Sequence, residues 1–455
     1  MKRITEKKKS TTLMIEGNIG KCLITFAIPL IIGNLLQQMY NTVDSIVVGN
    51  YIDSYALAAV GSSTSLISLL IGFSQGISVG AGVVVSLFLG AKDRDGVQTA
   101  VHTAVALSLI VGAFLSAIGV ILTPTLLRWM KTPNEVMDLS VKYLRYYSFG
   151  LVFSIMYNMT AGILNAAGNS KRSLFYLAIA SVTNIVLDIV FIKIFGFGVE
   201  GAAIATDISQ ALSSTLALLY LARSKDEYHL SFRKIRADKN MSIRITKVGL
   251  PAGVQNMVIS FSNVLIQSSV NAFGSFAMAG FASYMKIDGF NILPVSSLSM
   301  AITTFVGQNY GANRIDRVKK GIWVTLFMAL IYTALTGFFI YFFARDMVSL
   351  FSDNKEVIDY GVLVSRYFAP FYFLLGIMHP LAGSVRGTGR SVPPTIIILF
   401  ALCIFRILWI QFIIPLFNTL DAVFIQYPIS WALGAIMMVV YTLKAKWLVP
   451  ANNAE

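Results

Sequence analysis

The chain repeats itself at a near-constant offset, and what it repeats is apolar enough to cross a bilayer. Glu135, Val136 and Asp138 return as Glu356, Val357 and Asp359, 221 residues later. Arg145 and Tyr146 return as Arg366 and Tyr367, Ala161, Gly162 and Gly168 as Ala382, Gly383 and Gly389, and Ser78, Gly90 and Ala91 as Ser299, Gly311 and Ala312. At an offset of 222, Pro29, Asn34 and Asn41 return as Pro251, Asn256 and Asn263. One register held this long implies two copies of one unit. Each copy carries six runs of about twenty apolar residues, the length that spans a hydrocarbon core. They lie at roughly 20–48, 56–88, 98–123, 137–165, 173–195 and 201–222, then 247–270, 277–306, 321–343, 361–384, 393–416 and 423–443. Several exceed the minimum, so tilted or broken helices are expected.

The expected fold is therefore an all-α integral membrane protein of twelve transmembrane helices. Composition agrees: 56% of residues are hydrophobic, 13% are charged, and the mean hydropathy is +0.71. Six helices per copy is an even number, so both copies insert the same way round. They should form two six-helix bundles related by a pseudo-two-fold axis along the membrane normal. The expected N-terminal bundle covers 1–228 and the C-terminal bundle 229–455, joined by a basic loop at about 223–247. Lys2 to Lys9 is basic, but the apolar run begins only near Lys21 with no small-residue cleavage site before it. The first helix is expected to act as its own insertion signal.

A formal charge of +14 could indicate nucleic acid, but its distribution indicates topology. If the termini and alternate loops face the cytoplasm, that side holds most of the 36 basic residues, including Lys92, Arg94, Lys171, Arg172, Arg314 and Arg317. Arg128, Lys131, Lys193, Arg345 and Lys355 fall outside. The positive-inside rule then places both termini in the cytoplasm of a plasma (inner) membrane. The excess charge attracts anionic headgroups, and no nucleic-acid partner is expected. Cys22 and Cys403 sit in apolar context without metal or disulfide spacing, and His102, His229 and His379 are scattered. No metal site is expected.

Ionisable groups inside membrane helices are costly, which makes them functional candidates. Asp44 and Asp188 are the clearest. Asn34, Gln37, Asn41 and Asp44 share one face of helix one, Asn184 and Asp188 one face of helix five, and Thr206 and Gln210 one face of helix six. Asn158 in helix four could join them. These stripes should converge inside the first bundle, where their polar groups can be satisfied. No lysine or arginine there is an obvious partner, although Lys142 and Arg145 could reach the rim. Two desolvated carboxylates close together should not both stay charged, so the pair reads as a proton-binding switch. Permanently protonated carboxyls that only join helices are the other reading, but amides and hydroxyls would suffice for that.

The second copy lacks this chemistry. Ile266, Phe405 and Trp409 stand where the first has Asp44, Asn184 and Asp188. Its helix seven keeps Asn256, Ser260, Asn263 and Gln267, a neutral polar surface. Lys286 and Asp288 in helix eight lie on different faces, so they pair elsewhere or one reaches the cleft between bundles. Arg406 is expected to snorkel from a helix end. Pro29 and Pro251 interrupt hydrogen bonding in helices one and seven at matching places, which suits a hinge, with Pro29 the candidate. Gly61, Gly72, Gly76, Gly80 and Gly82 in helix two, and Gly150 and Gly162 in helix four, are expected to let helices approach closely. Seventeen Met and 31 Phe are compatible with a broad substrate range. There is no GxxxxGK[ST], HExxH or Ser/His/Asp pattern, so no enzymatic activity is expected and any work must come from ion gradients.

Three stretches resemble a known family. Pro29 to Asn34 through Asp44 to Gly49 is similar to helix one of the multidrug and toxic compound extrusion (MATE) transporters. So are Asn184 to Asp188 followed by Gly201 to Thr206, and Val306 to Ala312 resembles the family's loop after helix eight. The likeness runs from about residue 15 to 445. Within the family, the DinF-like bacterial branch places a cation-responsive cluster in its N-terminal bundle, and Gln37, Asp44, Asn158, Asn184, Asp188 and Thr206 stand at its positions. Pro29 stands at the proline that bends helix one on protonation in that branch. The NorM-like branch uses acids in the C-terminal bundle, and helix seven here has no convincing match. The resemblance implies alternating-access antiport of organic, often cationic, compounds against protons or sodium. It implies no cofactor, and as partners only small organic substrates and membrane lipids, with no obligate protein partner. Two readings compete with it. A flippase for a lipid-linked precursor would favour a cationic cleft and extra helices. A non-transporting receptor or scaffold would leave the one-sided acids unexplained.

Overall fold

In the computed structural model, which describes residues 13–130 and 132–448, helices dominate the chain. The basic residues Lys2 to Lys9, Lys131 and both termini lie outside the described residues. The first half contains α1 (Ile19–Tyr51), α2 (Ser54–Ala91), α3 (Arg94–Trp129), α4 (Asn134–Phe149), α5 (Leu151–Ala166), α6 (Ser170–Asp188) and α7 (Val199–Arg223). Residues Ile189–Ile194 continue α6 as a π-helical turn. The second half contains α8 (Lys239–Asn271), α9 (Ser275–Gly311), α10 (Ile315–Ser349), α11 (Lys355–Phe368), α12 (Tyr372–Gly387), α13 (Val392–Leu399), α14 (Phe405–Phe412), α15 (Ile414–Phe417) and α16 (Leu420–Lys444). Side chains start several of them: Asp53, Asp93 and Asp238 accept hydrogen bonds from Ala56, Gly96 and Met241 backbone N–H groups at 2.7, 2.9 and 2.8 Å.

Ten helical spans are long and apolar enough to cross a membrane among the described residues, and the pair α4 and α5, bent by 46°, makes an eleventh. The twelfth rod, α8, has 33 residues but is less apolar. Its row of Gln255, Asn256, Ser260, Asn263 and Gln267 is the reason; Gln255 is buried and Asn256 bonds α2, whereas Asn263 is exposed. The outer faces are apolar, as lipid requires. On α10, Trp323, Phe327, Leu335, Phe338 and Phe342 are all exposed.

The sequence repeat is a spatial axis. Ser78 donates to the carbonyl of Asn158, and its counterpart Ser299 donates to that of His379, the counterpart of Asn158, at 2.7 Å. Lys92 and Asn313 both take left-handed conformations (φ 57° and 55°), as do Gly168 and Gly389 (77° and 86°). Where the halves meet, contacts come in exchanged pairs. A Cβ on Gly90 would overlap the Gln308 backbone, and one on Gly311 would overlap that of Leu87. Gly311 is the counterpart of Gly90 and Gln308 that of Leu87, as a two-fold axis between α2 and α9 demands.

The two seams between the halves differ. Along α2 and α8, Gly76 meets Gly253 and Gly80 meets Gly249 backbone to backbone, and Asn256 donates to the Gly72 carbonyl at 3.1 Å. Gly61 meets nothing, so the packing expected of it is absent. In α9 the counterparts of Gly76 and Gly80 are Ser297 and Ala301, and there α1 makes a side-chain contact, Asn34 Nδ2 to Ser297 Oγ at 3.2 Å. Near the basic ends, residues 13–17 form a strap across both halves. Gln308 accepts from Met14 N–H at 2.6 Å and donates to the Ala166 carbonyl at 2.7 Å. Asn309, Arg314 and Arg317 donate to carbonyls of Met14 to Gly17. The segment between α7 and α8 is also anchored. Ser231 N–H donates to His102 Nε2 at 2.9 Å, Gln98 donates to the Glu227 carbonyl at 2.7 Å, and Tyr228 is fully buried.

Candidate functional site

The first bundle holds Asp44 and Asp188 toward the ends of α1 and α6 that lie away from the basic residues Lys171 and Arg172. Asp188 ends the α-helical part of α6 and is fully buried, and Asp44 on α1 is 8% exposed. The π turn begins at the next residue. Such turns recur at functional sites, because the extra residue re-aims the side chains that follow. Asn184 lies one turn before Asp188 and donates to Thr206 Oγ1 on α7 at 3.3 Å. Tyr40, Ala180, Asn184, Thr206, Ser209 and Gln210 line a crevice too narrow to hold a water molecule. The Tyr40 hydroxyl sits beside the amides of Gln37 and Gln210 and within electrostatic reach of both acids.

The chemistry of this cluster is an excess of acceptors. Asp44 Oδ1, both oxygens of Asp188, Asn184 Oδ1 and Gln210 Oε1 are buried without a hydrogen-bond partner in the protein. Asp44 and Asp188 act on each other's charge, and no lysine or arginine among the described residues acts on either. Buried acceptors are normally satisfied. Five unsatisfied ones around two carboxyls make a site that a proton, a small cation or a buried water could satisfy. At the rim, Lys142 is taken up by Glu200 at 2.7 Å, and Arg145 is exposed.

The helix-one stripe is split. At about 100° per residue, Asn34 and Asn41 lie about 20° apart, as do Gln37 and Asp44, and the two pairs are offset by about 60°. Gln37 and Asp44 thus turn into the bundle. Asn34 reaches Ser297 in the other half, and Asn41 is exposed. Asn158 is half-buried, with its backbone carbonyl taken by Ser78. In the second half, Asn256 is spent on the seam, Asn263 is exposed, and Gln267 donates to Asn271 on its own helix at 2.8 Å. Lys286 is exposed, 5.2 Å from the Phe351 ring centroid, whereas Asp288 accepts from Tyr372 OH at 2.6 Å. Arg406 does not snorkel. It is 3% exposed, donates to Ser430 Oγ at 2.9 Å and lies 4.3 Å from the Tyr427 ring centroid.

Three residues of the neighbourhood carry no pattern in the sequence. Tyr143 and Tyr147 on α4 are buried and feel the charge of Asp44. Asp207 on α7 is a third acid in an apolar run, which stripe reasoning passes over because it lies off the face of Thr206 and Gln210. Its carboxyl packs against Gly150, between α4 and α5.

Comparison with known proteins matches this architecture. The sequence profile of the MatE family fits residues 29–190 and again 251–412, one match per repeat. The chain is 28% identical over 449 residues to the probable multidrug resistance protein YoeA of Bacillus subtilis (strain 168), covering 96% of this chain and 95% of that one. It is 22% identical over 448 residues to the multidrug export protein MepA of Staphylococcus aureus (strain MSSA476), covering 96% and 97%. A solved structure described as the outward-facing conformation of a multidrug resistance MATE family transporter superposes with a TM-score of 0.88 at 25% identity, covering 97% of this chain and 99% of that one. Twelve helical rods, a two-fold repeat that is also a spatial axis, and a family profile matching both halves lead to one conclusion: the chain belongs to the MATE family of multidrug transporters.

Proposed function

We propose that the protein is a secondary active exporter of organic, often cationic, compounds, working by antiport with protons or sodium. The observation that carries this reading is the buried, acceptor-rich cluster around Asp44 and Asp188, on which no lysine or arginine among the described residues acts. An inbound proton or sodium ion would satisfy those oxygens, and its release would leave them costly again, so cation occupancy can bias the bundle between two states. The basic ends of the helices, with Lys92, Arg94, Arg314 and Arg317, would face the cytoplasm of the plasma membrane. Substrate would bind between the halves, where Asn41 and Asn263 offer neutral amides. Pro29, within α1 and fifteen residues before Asp44, would be the point at which that helix re-bends.

The test is dye efflux from proteoliposomes driven separately by a proton gradient and by a sodium gradient. Efflux under one of them, and none without a gradient, is expected. Equal efflux with no gradient at all would sink the reading.

A further inference from the structure

Gln308 on α9 is fully buried, and both ends of its amide are spent on other elements. Its Oε1 accepts from the Met14 N–H at 2.6 Å, and its Nε2 donates to the carbonyl of Ala166, the last residue of α5, at 2.7 Å. Its backbone lies against Gly90 of α2. One residue thus ties the second half to α2, to α5 and to the strap before α1. The strap crosses the same boundary, since Leu13 packs against the core of the first half and Met14 lies in the core of the second. Gly17 turns the strap into α1 in a left-handed conformation (φ 79°). The carbonyls of Met14, Glu16 and Gly17 all accept from one guanidinium, that of Arg317, whose Cζ lies 5.5 Å from the Phe305 ring centroid.

These bonds are one-sided. At the matching positions of the first copy, Leu87, Phe88, Asp93 and Gly96 replace Gln308, Asn309, Arg314 and Arg317, and none of them carries a comparable side-chain donor. On that side the chain itself joins the halves. Residues 235–239, which correspond to the strap at the offset of 222, end the connecting segment, and Asp238 N–H donates to Thr103 Oγ1 on α3 at 3.3 Å. A covalent tie therefore holds one side of the two-fold axis, and hydrogen bonds hold the other. Alternating access between two repeats rocks one bundle against the other, so these ends must part once per cycle. Glu16 and Arg314 are exposed at the edge of the strap, where water can replace the bonds lost on parting. We propose that Gln308 is a positioning residue for transport, the latch of the gate at the basic ends of the helices: its bonds to Met14 and Ala166 hold the halves shut there, and the bond to Ala166 breaks each time that side opens. This deepens the antiport reading above and rests on it.

The test is ethidium uptake into inside-out vesicles, driven by acid or by sodium loaded within, for Gln308→Glu, Gln308→Met and Arg317→Met. Glutamate keeps the acceptor for Met14 and loses the donor to Ala166. Methionine loses both at similar size, and Arg317→Met frees the strap while Gln308 stays bonded. A loosened latch raises the share of molecules open to the cytoplasm, which raises apparent affinity from that side and slows the return. Each Gln308 variant should lower the KM for ethidium about threefold and lower turnover, and Arg317→Met should move both less. In a background of Cys22→Ser and Cys403→Ala, Met14→Cys should react with an impermeant maleimide about tenfold faster when Gln308→Met is added. If Gln308→Glu does not fold, Gln308→Met decides. Unchanged KM, turnover and labelling would overturn the latch and leave the antiport reading standing. A raised KM with lower turnover would overturn it too, by making Gln308 a purely structural residue. No gradient-driven uptake by the wild type would instead remove the reading on which the latch rests.

Discussion

Asp188 presents two buried oxygens and no donor to either. Asparagine at this position keeps the size, removes the charge and adds an N–H donor among unsatisfied acceptors. Asp188→Asn and Asp44→Asn are therefore expected to abolish gradient-driven efflux while leaving thermal stability equal to the wild type or higher, by about 1 kcal/mol. Melting curves and efflux on the same preparations check this. A variant that unfolds would show a structural role, and one that transports normally would clear its residue of any role in coupling. These two acids were legible in the sequence because a charge inside an apolar run stands out. Tyr143 and Tyr147 were not, because aromatic residues are ordinary in membrane spans and nothing in their spacing marks the bundle interior. Arg406 misleads in the opposite direction. Near a helix end it suggests snorkelling, and only the Ser430 hydroxyl and the Tyr427 ring, from another helix, show why it stays inside.

At the scale of elements, the seams decide what can move. Gly76 and Gly80 bring α2 onto the backbone of α8, and a methyl group there has no flexible neighbour to displace. Gly76→Val is expected to part this seam and cut efflux at least roughly tenfold, whereas Gly61→Ala, facing open space, should leave it unchanged. Loss of transport in both would show that glycine matters in α2 for flexibility and not for contact. The same seam separates the two prolines. Pro251 is followed at once by Ala252 and Gly253, which lie against Gly76, so α8 cannot re-bend there without breaking the contact. Pro29 is buried, but its neighbours on α1 meet side chains: Ser170 Oγ donates to the Phe26 carbonyl at 3.0 Å, and Gly33 lies against Leu174 and Leu177. Pro29→Ala should leave substrate binding measurable and slow turnover, and Pro251→Ala should do less harm. Equal loss in binding and efflux assays would reduce Pro29 to a feature of shape. That α2 needs small residues was readable from its glycines. Which of them touch a partner was not, since that depends on where α8 crosses.

For the whole molecule, the repeat in the sequence became an axis because both copies keep the glycine that meets the other half's backbone, Gly90 against Gln308 and Gly311 against Leu87. Twelve runs were legible for the same reason, although α8 is the least apolar of them. The strap of residues 13–17 was not, because a few residues before a first helix carry no periodicity. Its holders are charged and amide side chains of the other half, Gln308, Arg314 and Arg317. Orientation is testable with a cysteine at the exposed Lys225, in a background lacking Cys22 and Cys403. An impermeant reagent should label it only after the cells are opened, and labelling of intact cells would invert the topology. The most direct test of ion coupling is to count cations on purified protein as substrate binds, with a pH indicator for protons and radioactive sodium for sodium. The wild type should release about one cation or more per substrate bound, and the Asp44→Asn/Asp188→Asn double variant should bind substrate and release none. Equal release from the double variant would contradict the assignment of coupling to this pair.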